Sequence, residues 1–289
     1  MAVYLLDDLL KNYDVSLPIR YTNAVREIMQ QTILAGLHRG GFFEKAAFYG
    51  GTALRLCYGL DRFSEDMDFT LILPDPEFTL EPWFPYIKQE FLMLGHEQVT
   101  ITRKEKKGHL TFVDSAFLKD TTELYNLQGG RLPQMRIKIE IDTDPPLDFW
   151  TTLKPVHIPY SFMVHCYALE SAYAGKMSAL LYRQWKNRVK GRDWYDFEWY
   201  VRQGVALDLI HFNARAKQGG HISEDLTPGG FRTLLKEKIS SSDIAKVKAE
   251  LSYFVEDIAR LDHWTLDYFL QLADQMKIDD CHGAAVERD

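Results

Sequence analysis

Two aspartates separated by one residue, Asp66 and Asp68, open a short apolar run, Met67 to Leu73, with the composition of a strand. In a strand, residues i and i+2 point to the same side, so both carboxylates face one way, close enough to share or bridge hard cations. A lone DxD pair is common. The Gly50-Gly51-Thr52 turn just upstream sharpens it, lying between a buried run (46–49) and a helical segment (53–58). Glycines let backbone N–H groups approach phosphate, and the following helix adds the positive end of its dipole. The turn is neither a GxxxxGKS/T phosphate loop nor a GxGxxG dinucleotide fingerprint. A third carboxylate on another strand would complete a two-metal site. The alternating run from 135 to 143 offers Glu140 and Asp142; Glu140, in mid-strand, is favoured, while Asp142 reads as a strand-end or turn residue.

A second constellation lies further along. Lys176 and Arg183, seven apart in a predicted helix (165–183), share a face, so a point charge and a guanidinium can look into one cleft. Arg192, Asp193 and Asp196 surround the start of the next predicted helix (193–203), where Asp193 caps the helix or orients Lys176 and Asp196 follows one turn on. Arg55, after the Gly-Gly-Thr turn, leans toward phosphate or braces Asp66. The histidines, His165 and His211 among them, form no triad or HExxH pattern and receive no catalytic role. The aromatic run Trp194, Tyr195, Phe197, Trp199 and Tyr200 reads as helix core rather than base-stacking surface.

The stretch from Gly50 to Phe69, with its GG turn, DxD and a later third carboxylate, resembles the nucleotidyltransferase superfamily with a polymerase-β-like core. More narrowly, it is similar to the AbiEii/AbiGii family of toxin nucleotidyltransferases, whose second signature is a helical lysine followed by RDxxD; Lys176 and Arg192 to Asp196 supply it. Where that family often has an acidic residue before the lysine, this chain has Gly175. The resemblance covers about 46–72 and 135–200. It implies transfer of a nucleoside monophosphate from an NTP, with Asp66, Asp68 and Glu140 holding Mg²⁺ or Mn²⁺ and with Lys176 and Asp193 joining the catalytic set. Gly50, Gly51, Thr52, Arg55, Ser64, Lys176 and Asp196 would form the nucleotide-binding set. It further implies a toxin of a toxin–antitoxin or phage-defence pair, with tRNA or another RNA as acceptor and an antitoxin as partner. A protein or small-molecule acceptor stays open. So do a catalytically idle, partner-binding member and a kinase-like phosphotransferase using the same metals.

The elements that must position these groups read as an α+β chain. A helix at about 20–38 with Ala24, Ile28, Ile33 and Leu37 on one face closes at Gly40-Gly41; a helix over 83–94 and strands at 98–103, 109–114 and 135–143 follow. Four prolines between Pro145 and Pro159 mark a connecting loop, placing a nucleotidyltransferase-like domain with a small mixed sheet at 1–150 and a helical domain at 151–289. Helices are expected at 205–216, 227–238, 241–260 and 263–276 of the latter, which contributes the lysine and RDxxD motif. At 289 residues with 46% hydrophobic content the chain can bury a sizeable core, which excludes disorder. With 34 basic and 41 acidic residues, 34 − 41 = −7, contact with nucleic acid has to be local. Two clusters could supply it: Arg103, Lys104, Lys106 and Lys107, which reads as a solvated face, and Arg183, Lys186, Arg188, Lys190 and Arg192. No signal peptide or membrane span is expected. Three widely spaced cysteines, Cys57, Cys166 and Cys281, form no CxxC pair and suit a reducing cytoplasm.

Overall fold

The computed structural model describes residues 6–95, 99–103, 113–120, 135–146, 148–183, 190–251, 254–255 and 257–281. A short helix, α1 (Leu6–Leu10), precedes α2 (Pro18–Arg39). Pro18 sits in the first turn of α2, where its missing N–H costs nothing, and the helix stops at Gly40, followed by Gly41 at φ 72°. The chain then runs through β1 (Ala46–Tyr49), α3 (Gly50–Tyr58), β2 (Met67–Leu71), α4 (Phe84–Met93), β3 (Val99–Arg103), β4 (Val113–Asp120), β5 (Arg136–Asp142), β6 (Thr151–Val156) and β7 (Phe162–Tyr167). Among the described residues these strands make one mixed sheet in the order β3-β4-β5-β2-β1-β7-β6. Strand β2 runs antiparallel to β1 but parallel to β5.

Alternation decides which face is core. Met67, Phe69, Ile137, Ile139 and Ile141 are fully buried with Val25, Ile28, Ile33 and Leu37 of α2 and with Ile87 and Phe91 of α4. Asp68, Glu140 and Asp142, one residue out of phase, are half-buried on the other face.

Two sequence expectations need correction. β6 crosses the stretch expected to be a loop between Pro145 and Pro159; an edge strand needs no N–H on its outer side, so it tolerates Pro155. Residues 165–167 are strand rather than helix, because Phe162, Val164 and Cys166 alternate into the core while Met163 is exposed. Of the strand expected at 109–114, residues 109–112 lie outside the described residues, and 113–114 open β4 (Val113–Asp120). The sheet therefore continues past residue 150. One compact unit comprises the described residues up to Pro145 with Thr151–Cys166, and a second comprises Pro146–Trp150 with the chain from Tyr167.

The second unit is mainly helical: α5 (Leu169–Tyr182), α6 (Gly191–Arg202), α7 (Leu209–Gln218), α8 (Pro228–Ser240), α9 (Ile244–Leu251) and α10 (Leu266–Gln275), with a parallel pair β8 (Ala206–Asp208) and β9 (Lys277–Asp279). The helix expected at 205–216 thus begins with a strand, and the one at 241–260 ends at Leu251. All five aromatics of the α6 run are buried: Trp194 meets Phe269 edge-on at 4.9 Å, and Tyr200 stacks on Tyr173 at 4.3 Å. Between them Glu198, buried, accepts from Trp264 Nε1 (2.9 Å) and the Tyr268 hydroxyl (2.6 Å), joining α6 to α10. No helix among the described residues is long and apolar enough to cross a membrane.

Candidate active site

In the first unit, the turn from β1 into α3 lies against the segment carrying the two aspartates. Register pairs Tyr49 with Asp68 across the antiparallel ladder, so the strand end and the carboxylate are neighbours. Gly50, at φ 83°, leaves the space a side chain would take: a Cβ there would stand 2.3 Å from Asp68 Oδ2. At Gly51 a Cβ would come within 2.8 Å of Ser64 Oγ and 2.9 Å of an Arg62 guanidinium nitrogen. The two glycines thus let the 62–68 segment close over the first turn of α3, whose leading N–H groups have no intrahelical acceptors.

The segment is held from several sides. The Thr52 hydroxyl, fully buried, donates to the Asp66 carbonyl, so this side chain braces the DxD backbone. Arg55 pairs with Glu27 at 2.9 Å and donates to the carbonyls of Leu60 (3.3 Å) and Asp61 (3.0 Å), with its guanidinium 4.5 Å from the centre of the Phe63 ring. It therefore steadies the turn leading into the DxD segment. Burial is the main reason the Glu27 carboxyl titrates above its ordinary range, against the pull of Arg55. Gln30, almost fully buried in α2, donates to the carbonyls of Ser64 (3.1 Å) and Glu65 (3.0 Å). Sequence reasoning missed Gln30 and Glu27, because a polar residue on a helix face announces its loop partner only once the chain is folded.

Parallel pairing of β2 with β5 sets Asp68 directly opposite Glu140 and Thr70 opposite Asp142. Opposed residues on one face have Cβ atoms about 5 Å apart, within reach of a common ion. Glu140 Oε1 is taken by Lys138 Nζ at 2.5 Å, two residues back on the same strand face. Among the described residues no three carboxylate, histidine or cysteine side chains already converge on one point. The donor set itself, half-buried carboxylate oxygens on adjacent strands, is that of a hard divalent cation. A cation shared by Asp68 and Glu140 would have to displace Lys138 from the Glu140 carboxylate.

In the second unit, Lys176 Nζ lies 2.7 Å from Asp196 Oδ2 and 3.9 Å from Asp193 Oδ1, both carboxylates buried. The sequence points to Asp193 as the carboxylate orienting Lys176; the shorter bridge is made by Asp196, one turn further on. Helix α6 starts at Gly191, two residues earlier than expected, so Asp193 lies in its first turn and favours the helix dipole without capping it by a side-chain bond. Arg183 is not on the Lys176 face, because α5 ends at Tyr182 and Arg183 is extended. Arg192 is anchored by Glu250, at 3.8 Å, and lies 4.0 Å from the centre of the Phe254 ring. The Lys190 ammonium is held down to about 8, chiefly by burial, aided by Arg183, Lys176 and Arg192 and opposed by Asp193. Lys186 and Arg188 of the same basic stretch, and Lys104, Lys106 and Lys107 of the other, lie outside the described residues.

Among solved structures the chain is similar to JHP933 from Helicobacter pylori, at 16% identity over 87% of this chain and 88% of that one, with a TM-score of 0.50. A second H. pylori structure, provisionally described as a nucleotidyltransferase, shares 17% identity over 86% and 89% of the two chains, with a TM-score of 0.46. An antigenic nucleotidyltransferase-like protein from Paracoccidioides brasiliensis shares 15% over 81% and 95%, with a TM-score of 0.42. No curated protein matches the chain. At such identities the first of these likenesses speaks to the fold. The profile of the family described as nucleotidyl transferase AbiEii toxin, type IV toxin–antitoxin system, matches residues 32–272, which takes in the Gly-Gly-Thr turn, both aspartates, Glu140, Lys176 and RDxxD. The chain therefore belongs to the AbiEii nucleotidyl transferase toxin family.

Proposed function

We propose that this protein transfers a nucleoside monophosphate from an NTP to an acceptor hydroxyl, releasing pyrophosphate, and that the acceptor is RNA, tRNA foremost. The observation that supports this most directly is the fit of Asp68 against Gly50. The carboxylate occupies the place of a missing Cβ at a helix N-terminus, which sets acidic oxygens beside N–H donors suited to phosphate. Asp66 and Asp68, with Glu140 opposite, would hold Mg²⁺ or Mn²⁺. When bound, the metal would neutralise phosphate charge and lower the pKa of the attacking hydroxyl.

The chain's own residues do the rest. Backbone N–H groups of Gly50, Gly51 and Thr52 would cradle the triphosphate, with the Ser64 hydroxyl at the same turn. Thr52, Arg55 and Gln30 would act by positioning, since each is bonded to the backbone of the 60–66 segment. In the second unit Lys176, aimed by Asp196 and Asp193, is the proposed cation for phosphate, held in place by the buried carboxylate pair. An antitoxin partner encoded beside the toxin, a role in phage defence and a cytoplasmic site of action follow from the family reading.

The test is incubation with each α-labelled NTP, Mg²⁺ and total cellular RNA, resolved on a gel. Label entering RNA from one NTP is the expected outcome. Label entering only from the γ-phosphate would replace nucleotidyl transfer by phosphotransfer, and metal-dependent binding without either would mark a binding protein.

A further inference from the structure

Independently of the proposed reaction, two of the three cysteines meet in the first unit. Cys57 lies on α3 and Cys166 on β7, 109 positions apart in sequence, yet their sulfurs are 3.6 Å from one another. Strand β7 is the parallel neighbour of β1, with Cys166 in register with Phe48, and α3 leaves the end of β1; the contact thus ties the helix behind the Gly-Gly-Thr turn to the next strand. The two sulfurs differ in access. Cys57 is half-buried, whereas Cys166 is fully buried and its thiol is pushed up by the bond with Cys57 and by burial. Lys154, on β6, lies near enough to favour the thiolate at Cys166, and its ammonium stands 4.7 Å from the centre of the Tyr58 ring.

We infer that Cys57 and Cys166 form an oxidative modification site that closes to an intramolecular disulfide when the protein meets a hydroperoxide. Cys57, the accessible thiol, reacts first: its thiolate attacks the peroxide oxygen, giving a sulfenic acid and an alcohol, or water from hydrogen peroxide. The Cys166 sulfur then attacks the sulfenic sulfur, its proton leaves with the hydroxyl as water, and the S–S bond forms. In sum two thiols are oxidised and one hydroperoxide is reduced to an alcohol and water. Contact makes the second step unimolecular, which offsets the low thiolate content of a buried thiol. Cys281 supplies an internal contrast: it is exposed, its thiol is raised by the carboxylates of Asp280 and Asp279, and its sulfur contacts Asp280.

The experiment treats the folded full-length chain, carrying Cys281→Ser to prevent cross-linking between molecules, with a small molar excess of hydrogen peroxide. Intact mass and non-reducing peptide mapping read the product. Expected are loss of two hydrogens, a linked pair of peptides containing Cys57 and Cys166, and a Tm several degrees higher that returns to its starting value on adding dithiothreitol. Cys57→Ser, in the same background, should melt close to the reduced parent and form no disulfide. Persistence of both thiols, or Cys57 accumulating as sulfenic or sulfinic acid without the linked peptide, would overturn the assignment. Failure of nucleotidyl transfer would leave this test unaffected, because its readouts are mass, linkage and melting.

Discussion

Removing either carboxylate, by Asp66→Ala or Asp68→Ala, should abolish transfer while circular dichroism and Tm stay close to the parent. Both side chains are half-buried and stand outside the apolar cluster, so their loss costs chemistry more than packing. Retained activity in either variant would sink the metal assignment. On β5 the choice is between neighbours: Glu140→Gln should keep NTP binding and stop transfer, since Glu140 and not Asp142 is the residue opposite Asp68. Stopped transfer in Asp142→Asn with an active Glu140→Gln would reverse that choice. The turn makes a separate prediction. Gly50→Ala pays the left-handed cost of about 1–2 kcal/mol and also drives a Cβ into Asp68, whereas Gly59→Ala, at φ 78° with nothing within 4 Å, pays only the first. Gly50→Ala should therefore lose both more stability and much more activity than Gly59→Ala; equal losses would show that the close approach does not matter. Lys190 carries a pH prediction. Its folded pKa is about 8 and its ordinary value 10.5, so between these the unfolded chain holds a proton the folded chain lacks. The cost of its buried charge is present in full below about 8 and relieved as pH rises through that window, so the wild type should gain stability relative to Lys190→Met there, by paired denaturant melts. A constant difference across the window would contradict it.

At the scale of elements, Glu198 is where one helix depends on one side chain. Its carboxylate serves the Trp264 indole, the Tyr268 hydroxyl and His263 Nε2 (3.1 Å), and desolvation followed by Glu198 itself keeps the Tyr268 hydroxyl from ionising until well above its ordinary range. Glu198→Ala strands a buried indole N–H and should cost about 2–3 kcal/mol, read by denaturant unfolding, with α10 losing amide-exchange protection first. A loss below about 0.5 kcal/mol would show that α10 packs through its aromatics alone. How far such elements were legible in sequence depends on the signal each carried. α2, β1, β2 and β5 were readable because strong periodicity or a flanking Gly or Pro bounded them, and the DxD pair with Glu140 stood out through spacing. β6 was hidden by Pro155, which a central strand would not allow but an edge strand does. β7 merged into α5 because Phe162, Val164 and Cys166 continue without a break into helix-forming residues. Within the site, Gln30, Glu27 and Glu250 were invisible: each is an ordinary helix residue until its partner 28 to 58 positions away is brought to it. Arg55 and Thr52 were seen but for another reason, since their bonds go to backbone carbonyls of the loop that carries the carboxylates.

For the whole molecule, net charge sets the terms on which an RNA acceptor can be held. A chain with a formal charge of −7 repels a polyanion at long range, so attraction has to come from a patch within a Debye length, about 8–10 Å at physiological salt. The stretch from Arg183 to Arg192 is the densest basic segment of the second unit's sequence and runs into the RDxxD motif. Two of its members are already committed, because Arg192 is anchored to Glu250 and Lys190 is partly neutral at mildly alkaline pH. The contacts to phosphate should therefore be few, about 3–4, and log K against log salt should fall with a slope of about −2 to −4. Replacing Lys186, Arg188 and Lys190 together with Ala should weaken RNA binding and flatten that slope, measured by filter binding across a salt series, while NTP binding stays as in the parent. Because Lys190 contributes only while charged, the parent's slope should also shallow as pH rises through about 8 and the variant's should not. An unchanged slope in the triple variant, with RNA still modified at the parental rate, would move the acceptor surface to another part of the molecule.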